Sequence, residues 1–258
     1  MGNPGGEAGG IDRAEWSRLM QFESDPDPRW VAGLAAVSLD RAAGAVGEAA
    51  QERTLFRHLE HEHQAEGRHH YVEIDAPFEI YGVVRLIRPL HVVEVGVSSG
   101  ISSAYILKAL ERNERGTLHS IDLPKPEVKR SGGPSLASWS IPTGRSSGWA
   151  VPFRLRGRWD LRLGDKRNVI PLLADELPRV DLFLYDVPHN DVRDWPEFQA
   201  VDRRMRRGGV AIADHGPGGE LCAALRRWAR QRSATPVGRQ GLGLFGFRVG
   251  PRRRVAKR

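Results

Sequence analysis

The chain has 258 residues, of which 40% are hydrophobic and 28% are charged, and this composition suits one globular α/β domain with a short additional segment. No run of about 18 apolar residues predicts a membrane span and no signal-peptide pattern precedes the domain, so a cytoplasmic protein without a membrane partner is expected. The formal net charge of +7 is concentrated in a basic tail, residues 251–258, and by itself does not indicate nucleic-acid binding.

The first part of the chain is predicted to be helical. Residues 1–12 are rich in glycine and are expected to be disordered, whereas residues 13–70 repeat apolar side chains at helical spacing and predict a helical cap. The apolar face of this cap offers a surface for a homo-oligomer. Histidines alternate with glutamates at its end, where a solvated helix end is favoured over a metal site. These histidines are His58, His61, His63, His69 and His70.

Residues 71–250 alternate short β-branched runs with helical stretches, which predicts an α/β domain. Near-continuous apolar strands separated by helices indicate a doubly wound, mostly parallel Rossmann-like sheet that is covered on both faces. Two final extended runs predict a terminal hairpin that adds an antiparallel strand. The predicted strands are 91–97, 117–123, 159–165, 180–187 and 208–215, and the predicted helices are 102–113 and 219–231.

Residues 124–158 interrupt this alternation. They are rich in glycine, proline and serine and have no clear period, and an insertion of this length after the second strand predicts a lid over the carboxyl edge of the sheet. Trp149, within this insertion, is the aromatic residue that we expect to contact the substrate.

A glycine-containing turn follows the first predicted strand, in the sequence Glu94-Val95-Gly96-Val97-Ser98-Ser99-Gly100. Ligands of open α/β sheets bind at such turns. A dinucleotide fingerprint would need glycine at positions 98 and 101, where this chain has Ser98 and Ile101. Pyrophosphate binding is therefore disfavoured.

This turn resembles the first motif of class I S-adenosylmethionine (SAM)-dependent methyltransferases, an acidic residue followed by G-x-x-x-G. The resemblance implies that Asp122, at the end of the second strand, holds the ribose hydroxyls, and that Asp165 contacts the adenine. A helix N-cap remains the alternative role of Asp165. The implied cofactor-binding residues are Glu94, Gly96, Ser98, Ser99, Gly100, Asp122, Leu123, Gly164, Asp165 and Asp186.

The last two parallel strands end in residues that resemble the acceptor side of catechol-type O-methyltransferases. Asp186 and Asp214 match metal-binding aspartates of that group, while His215 replaces an oxygen ligand, so either the metal is not Mg²⁺ or His215 is not a ligand. A polar turn is the alternative. His189 lies three residues beyond Asp186 and is suited to act as a general base. Asp186, Asp214 and His215 are the candidate metal ligands, and His189 and Asp186 the candidate catalytic residues.

The predicted function is transfer of a methyl group from SAM to a hydroxyl or amine of a small-molecule acceptor, with or without a divalent metal. One alternative is an RNA or other nucleic-acid methyltransferase that uses the basic tail. The Asn/Asp-Pro-Pro-Tyr/Phe element of base-methylating enzymes is missing after the fourth strand, which disfavours the nucleic-acid alternative. The other alternative is a protein that binds SAM without catalysis.

Overall fold

The computed structural model describes residues 25–66, 76–124, 141–187, 191–215, 219–239 and 241–252. Within these residues, four helices precede the sheet: α1 Pro28–Ala35, α2 Leu39–Ala50, α3 Arg53–Ala65 and α4 Pro77–Ile87. The first three lie within the predicted helical cap, and α4 is a helix that the sequence analysis did not assign. In the described part of the chain, none of the helices combines the length and apolarity that crossing a membrane requires.

A seven-stranded sheet with helices on both faces forms the centre of the protein. Its spatial order is β3-β2-β1-β4-β5-β7-β6; strands β1 to β5 are parallel, and β7 pairs antiparallel with β5 and β6. This confirms the predicted mostly parallel sheet with a terminal antiparallel strand. The strands are β1 His91–Val95, β2 Thr117–Asp122, β3 Trp159–Leu163, β4 Val180–Tyr185, β5 Met205–Asp214, β6 Val237–Arg239 and β7 Leu244–Arg248. The remaining helices are α5 Ile101–Asn113, α6 Lys166–Glu176, α7 Asp191–Asp202 and α8 Ala223–Gln231, with a 3-10 helix at Phe153–Arg158.

Side chains alternate between the two faces of the sheet, as the pleat requires. On β4, Leu182 and Leu184 join the core beneath α4 and α5, whereas Phe183 and Tyr185 join the core beneath α6 to α8. Apolar cores cover both faces of the sheet, which explains why the strand sequences are nearly continuous hydrophobic runs.

The helical cap shares the first of these cores. Trp30, Leu34, Leu55, Phe56 and Leu59 are at most 4% exposed and belong to the same cluster as the side chains of α4 and α5. The cap is therefore an integral layer of the domain in residues 28–65. In these residues the apolar face of the cap is covered by the chain's own core, and the homo-oligomer stays a prediction.

The described half of the predicted lid, residues 141–158, is packed into the protein. Ile141, Trp149, Val151 and Leu155 are buried in the first core. The apolar side chains of this half fill space between α5 and the cap, and its role as a lid stays a prediction. Residues 125–140, the rest of the predicted lid, lie outside the described residues, as do the predicted disordered N-terminus and residues 253–258 of the tail.

Candidate active site

The site lies where β1 and β4 end side by side at the carboxyl edge of the sheet. The chain leaves β1 into α5 on one face and leaves β4 into α7 on the other, which is the switch point where open α/β sheets bind ligands. The two strand ends are in contact, because the Asp186 amide donates to the Val95 carbonyl at 2.8 Å. A Cβ on Gly96 would lie 1.9 Å from the Asp186 carbonyl oxygen, so only glycine fits there.

We call residues 96–100 the cofactor loop. Its backbone has positive φ at Gly96, Ser98 and Gly100, and for Ser98 (φ 52°) this is a conformation that non-glycine residues rarely adopt. Hydrogen bonds from residues outside the loop fix its backbone. The amide of Gly148 donates to the Ser98 carbonyl at 2.8 Å, and the Ala150 amide donates to the Ser99 carbonyl at 3.0 Å. Residues 141–158 therefore form a wall against the cofactor loop.

Asp122 lies at the end of β2, next to the cofactor loop, as the resemblance implied. Its carboxylate accepts hydrogen bonds from the Ser98 amide at 3.1 Å and from the Leu123 amide at 2.9 Å. Burial raises the pKa of this carboxyl above its usual range, against the opposing effect of these hydrogen bonds. The Gly164 amide donates to the Asp122 carbonyl at 2.8 Å, so the ends of β2 and β3 meet here.

Two large apolar side chains flank Asp122 at this edge. Leu123 is 52% exposed and Leu163, at the end of β3, is 48% exposed. Exposed leucines beside a partly buried carboxylate make an apolar surface with a polar anchor, an arrangement suited to a ligand with a flat ring attached to a sugar.

Asp165 caps α6. Its carboxylate accepts from the Arg167 amide at 3.0 Å and pairs with the Arg167 guanidinium, whose hydrogen bonds lower the pKa of Asp165 to about 2. Of the two roles left open by the sequence, the N-cap is the one observed.

Glu94 differs from its expected role as a cofactor contact. Its side chain is fully buried, and its oxygens accept hydrogen bonds from the hydroxyls of Ser102 (2.7 Å), Ser103 (2.6 Å) and Ser120 (2.6 Å). Trp159 Nε1 donates in turn to Ser120 Oγ at 2.8 Å. Burial raises the pKa of the Glu94 carboxyl. Glu94 therefore ties β1 to α5, β2 and β3 behind the loop and does not reach the crevice.

The predicted metal ligands do not form a metal site in the described structure. Asp186, Asp214 and His215 are all described, yet no group of three His, Cys, Asp or Glu side chains suited to a metal is found among the described residues. His215 Nε2 accepts the Cys222 amide at 3.1 Å and its ring meets Phe245 edge-on, which directs the imidazole toward the start of α8. The metal site stays a prediction. His189 lies outside the described residues.

A charged cluster that sequence analysis missed lies beneath Asp186. The Tyr185 hydroxyl lies within hydrogen-bonding distance of Asp194 Oδ1 (2.9 Å) and Glu197 Oε2 (2.6 Å), and Lys166 Nζ pairs with the same two oxygens at 3.0 and 2.9 Å. Burial and the two carboxylates raise the pKa of Tyr185. Because these residues come from α6, β4 and α7, no local pattern could have revealed the cluster.

Two histidines of the cap reach the cofactor loop and its wall. His63 Nε2 lies 3.0 Å from Ser99 Oγ, and His58 Nε2 lies 3.2 Å from the Ala150 carbonyl oxygen. His63 is 1% exposed, so the expectation of a solvated helix end is wrong for this residue. Trp149, expected to contact the substrate, packs with its ring centroid 4.7 Å from that of His63. The helical period alone does place His63 on the apolar face, with Leu59 one turn earlier.

Comparison with known proteins points to methyltransferases. Residues 93–215 match the family model described as a methyltransferase domain. A similar solved structure is the O-methyltransferase from Bacillus cereus in complex with S-adenosylhomocysteine (SAH), with 17% identity, a TM-score of 0.51, and coverage of 77% of this chain and 90% of that one. Another is the O-methyltransferase TomG from Streptomyces achromogenes, involved in tomaymycin synthesis, in complex with SAM. It has 18% identity, a TM-score of 0.50, and coverage of 80% and 89%. No curated protein matches this chain in sequence.

Proposed function

We propose that this chain, whose residues 93–215 match a methyltransferase domain, binds SAM and transfers its methyl group to a hydroxyl of a small-molecule acceptor. The observation that carries the proposal is the position of the Asp122 carboxylate, which is hydrogen-bonded to the strained cofactor loop, while Gly96 of the same loop lies against Asp186 at the end of β4. The resemblance of the fold to O-methyltransferases that bind SAM or SAH supports the hydroxyl acceptor over an amine.

In this proposal the cofactor lies along the ends of β1, β2 and β3. The Asp122 carboxylate accepts both ribose hydroxyls, a task that suits two acceptor oxygens and a diol. Leu123 and Leu163 cover the adenine, and the glycines at 96 and 100 let the backbone approach the ligand closely. SAM supplies the electrophilic methyl group when bound, and the chain's own part is to orient it toward the end of β4.

The acceptor binds on the side of β4 and β5 in this proposal. Val187, Leu221 and Phe245 are partly buried apolar residues near the ends of these strands, and they favour an acceptor with an apolar or aromatic body. His189 is proposed to take the acceptor proton, because it follows Asp186 by three residues in the sequence and an imidazole suits a general base. No step is assigned to a metal. The cytoplasmic location stays a prediction.

The course of the tail disfavours a nucleic-acid acceptor. Arg248, near the end of β7, pairs with Val210, whereas Leu244 pairs with Asp214 at the carboxyl edge. The chain therefore runs along β7 away from the site, and the basic tail begins at the opposite edge of the sheet. A polyanion held there would not present a base to Asp186. We accordingly favour a small-molecule acceptor.

Calorimetric titration with SAH tests the proposed cofactor. We expect micromolar binding to the wild type and a loss of about 1 to 3 kcal/mol in Asp122→Ala, because a charge-assisted contact with the diol is removed. Asp175→Ala is the matched control, since Asp175 is an exposed aspartate on α6. Lack of SAH binding by the wild type, or an equal effect of both substitutions, would contradict the proposal.

The pH dependence of the same titration follows from the raised pKa of Asp122. The ionised form binds the diol, so affinity is full above the pKa and falls as the pH drops through it. This fall should occur at a higher pH than for an exposed aspartate. Asp122→Asn, which cannot ionise, should bind weakly without that step.

A further inference from the structure

The helical cap contacts the cofactor loop through one buried histidine. His63, in the last turn of α3, brings its Nε2 to 3.0 Å from the hydroxyl of Ser99, and Ser99 is fully buried within the loop. The two residues are 36 positions apart in the chain. The contact joins a helix outside the matched methyltransferase domain, residues 93–215, to the turn that we assign to cofactor binding.

The hydrogen-bond roles at His63 follow from its second partner. Nδ1 lies 2.7 Å from the Leu59 carbonyl oxygen, which can only accept, so Nδ1 carries a proton. In the neutral ring Nε2 is then an acceptor, and the Ser99 hydroxyl donates to it. The Leu59 carbonyl, one helical turn away, thus fixes both the tautomer and the orientation of the ring.

Further contacts hold His63 in place from the other side. The ring of Trp149 packs against it, and the Arg145 guanidinium lies 5.7 Å from the centroid of the Trp149 ring. Arg145 also pairs with Glu66 at 2.8 Å, back on the cap side. Together, these contacts connect the cap to the wall of residues 141–158 and, through Ser99, to the cofactor loop.

The cofactor loop needs such support because its backbone is strained. Ser98 adopts a positive φ that costs about 1 kcal/mol or more in a non-glycine residue, and such a conformation persists only where surrounding contacts over-determine it. Residues 148–150 fix the carbonyls of Ser98 and Ser99, and His63 fixes the side chain of Ser99.

We propose that His63 is a positioning residue for the cofactor loop, acting through the hydroxyl of Ser99, so that the helical cap is a working part of the cofactor site. The inference rests on the proposed function, because it takes SAM as the ligand of the loop. His63 does not contact the cofactor; it restricts the loop to the conformation that binds it. Pre-organisation of this kind raises affinity by lowering the cost of ordering the loop on binding.

Two isosteric substitutions separate this role from simple packing. Glutamine places its carboxamide near the position of Nε2 and can accept from Ser99, whereas asparagine places its carboxamide near Nδ1 and retains only the contact with Leu59. SAH binding is measured by calorimetry at a temperature where every variant is folded. We expect His63→Asn and His63→Ala to weaken SAH binding by about 3- to 10-fold, the loss of roughly one hydrogen bond, and His63→Gln to stay within about 2-fold of the wild type.

A double-substitution cycle and a control on the same helix complete the test. In a Ser99→Ala background, His63→Ala should cause no further loss of SAH affinity, because the contact is already absent. His61→Ala, at an exposed position of α3, should leave affinity unchanged. Equal affinities for His63→Gln and His63→Asn, or additive losses with Ser99→Ala, would overturn the inference. Failure of the wild type to bind SAH would instead overturn the proposed function itself.

Discussion

Glu94 is the central acceptor of a buried hydrogen-bond network behind the cofactor loop. Its two oxygens accept from three serine hydroxyls, two on α5 and one on β2, and Ser120 extends the network to Trp159 on β3. A buried carboxylate is costly unless its lone pairs are satisfied. Here they are satisfied by neutral donors, so the side chain joins three strands and a helix at one point.

This network predicts a large difference between two substitutions of Glu94. Glu94→Ala should lower the free energy of unfolding by about 2 to 4 kcal/mol, because it leaves three buried hydroxyls without their acceptor and opens a cavity. Glu94→Gln should cost clearly less, since its amide oxygen still accepts and the serine hydroxyls can reorient. Urea unfolding followed by circular dichroism measures both.

Glu176→Ala is the control for Glu94. The Glu176 side chain is 56% exposed in its pair with Arg162, and its removal should leave stability close to that of the wild type. If Glu94→Ala were as mild as this control, the network would not contribute to stability.

At the scale of single residues, positions can be predicted from the sequence when the residue lies directly at the end of a strand. Asp122 and Gly96 lie at strand ends as predicted, because each follows directly from where its strand stops and its chain turns; their roles toward a cofactor stay predictions. The same reasoning put Glu94 in the crevice and His63 in solvent, since their partners, Ser120 and Ser99, are distant in sequence. Nothing in the spacing of serines identifies which hydroxyl will meet which buried group.

At the scale of elements, the wall formed by residues 141–158 matters most for the site. Composition suggested a lid, because glycine, proline and serine dominate the insertion as a whole. Its described half contains Ile141, Val151 and Leu155, too few apolar residues to show a period but enough to fill the gap between α5 and the cap. Helix α4 was missed for the opposite reason. Residues 77–84 are buried on every side, so the run shows no helical periodicity.

The packing of this wall predicts resistance to proteolysis. Trypsin should not cleave after Arg145, Arg154, Arg156 or Arg158 under native conditions, because the backbone there is hydrogen-bonded and anchored by buried side chains. The extent of cleavage at these arginines, measured by mass spectrometry across a urea series, should rise in parallel with global unfolding. A lid would behave otherwise: native cleavage at these sites that SAH suppresses would show that the wall opens.

At the scale of the whole molecule, one buried ion pair joins parts of the chain that are far apart in sequence. Arg239 on β6 pairs with Glu79 on α4 at 2.8 Å, with side-chain exposures of 6% and 3%. The same Glu79 oxygen accepts the backbone amide of Asp27, the N-cap of α1. The Glu79 carboxylate on α4 therefore connects the start of the cap with the terminal hairpin.

A substitution cycle at this pair tests how strongly the cap and hairpin depend on it. Arg239→Met should lower the free energy of unfolding by about 3 to 5 kcal/mol, because Glu79 is left as a buried charge without its counter-ion. Adding Glu79→Leu should recover most of this loss, since an apolar pair of similar volume removes the uncompensated charge, although the contact with the Asp27 amide is not restored. Arg154→Met is the control, as the Arg154 pair with Glu111 is about half exposed. A mild Arg239→Met variant, or a double variant no more stable than Arg239→Met alone, would show that packing and not the ion pair holds the three segments together.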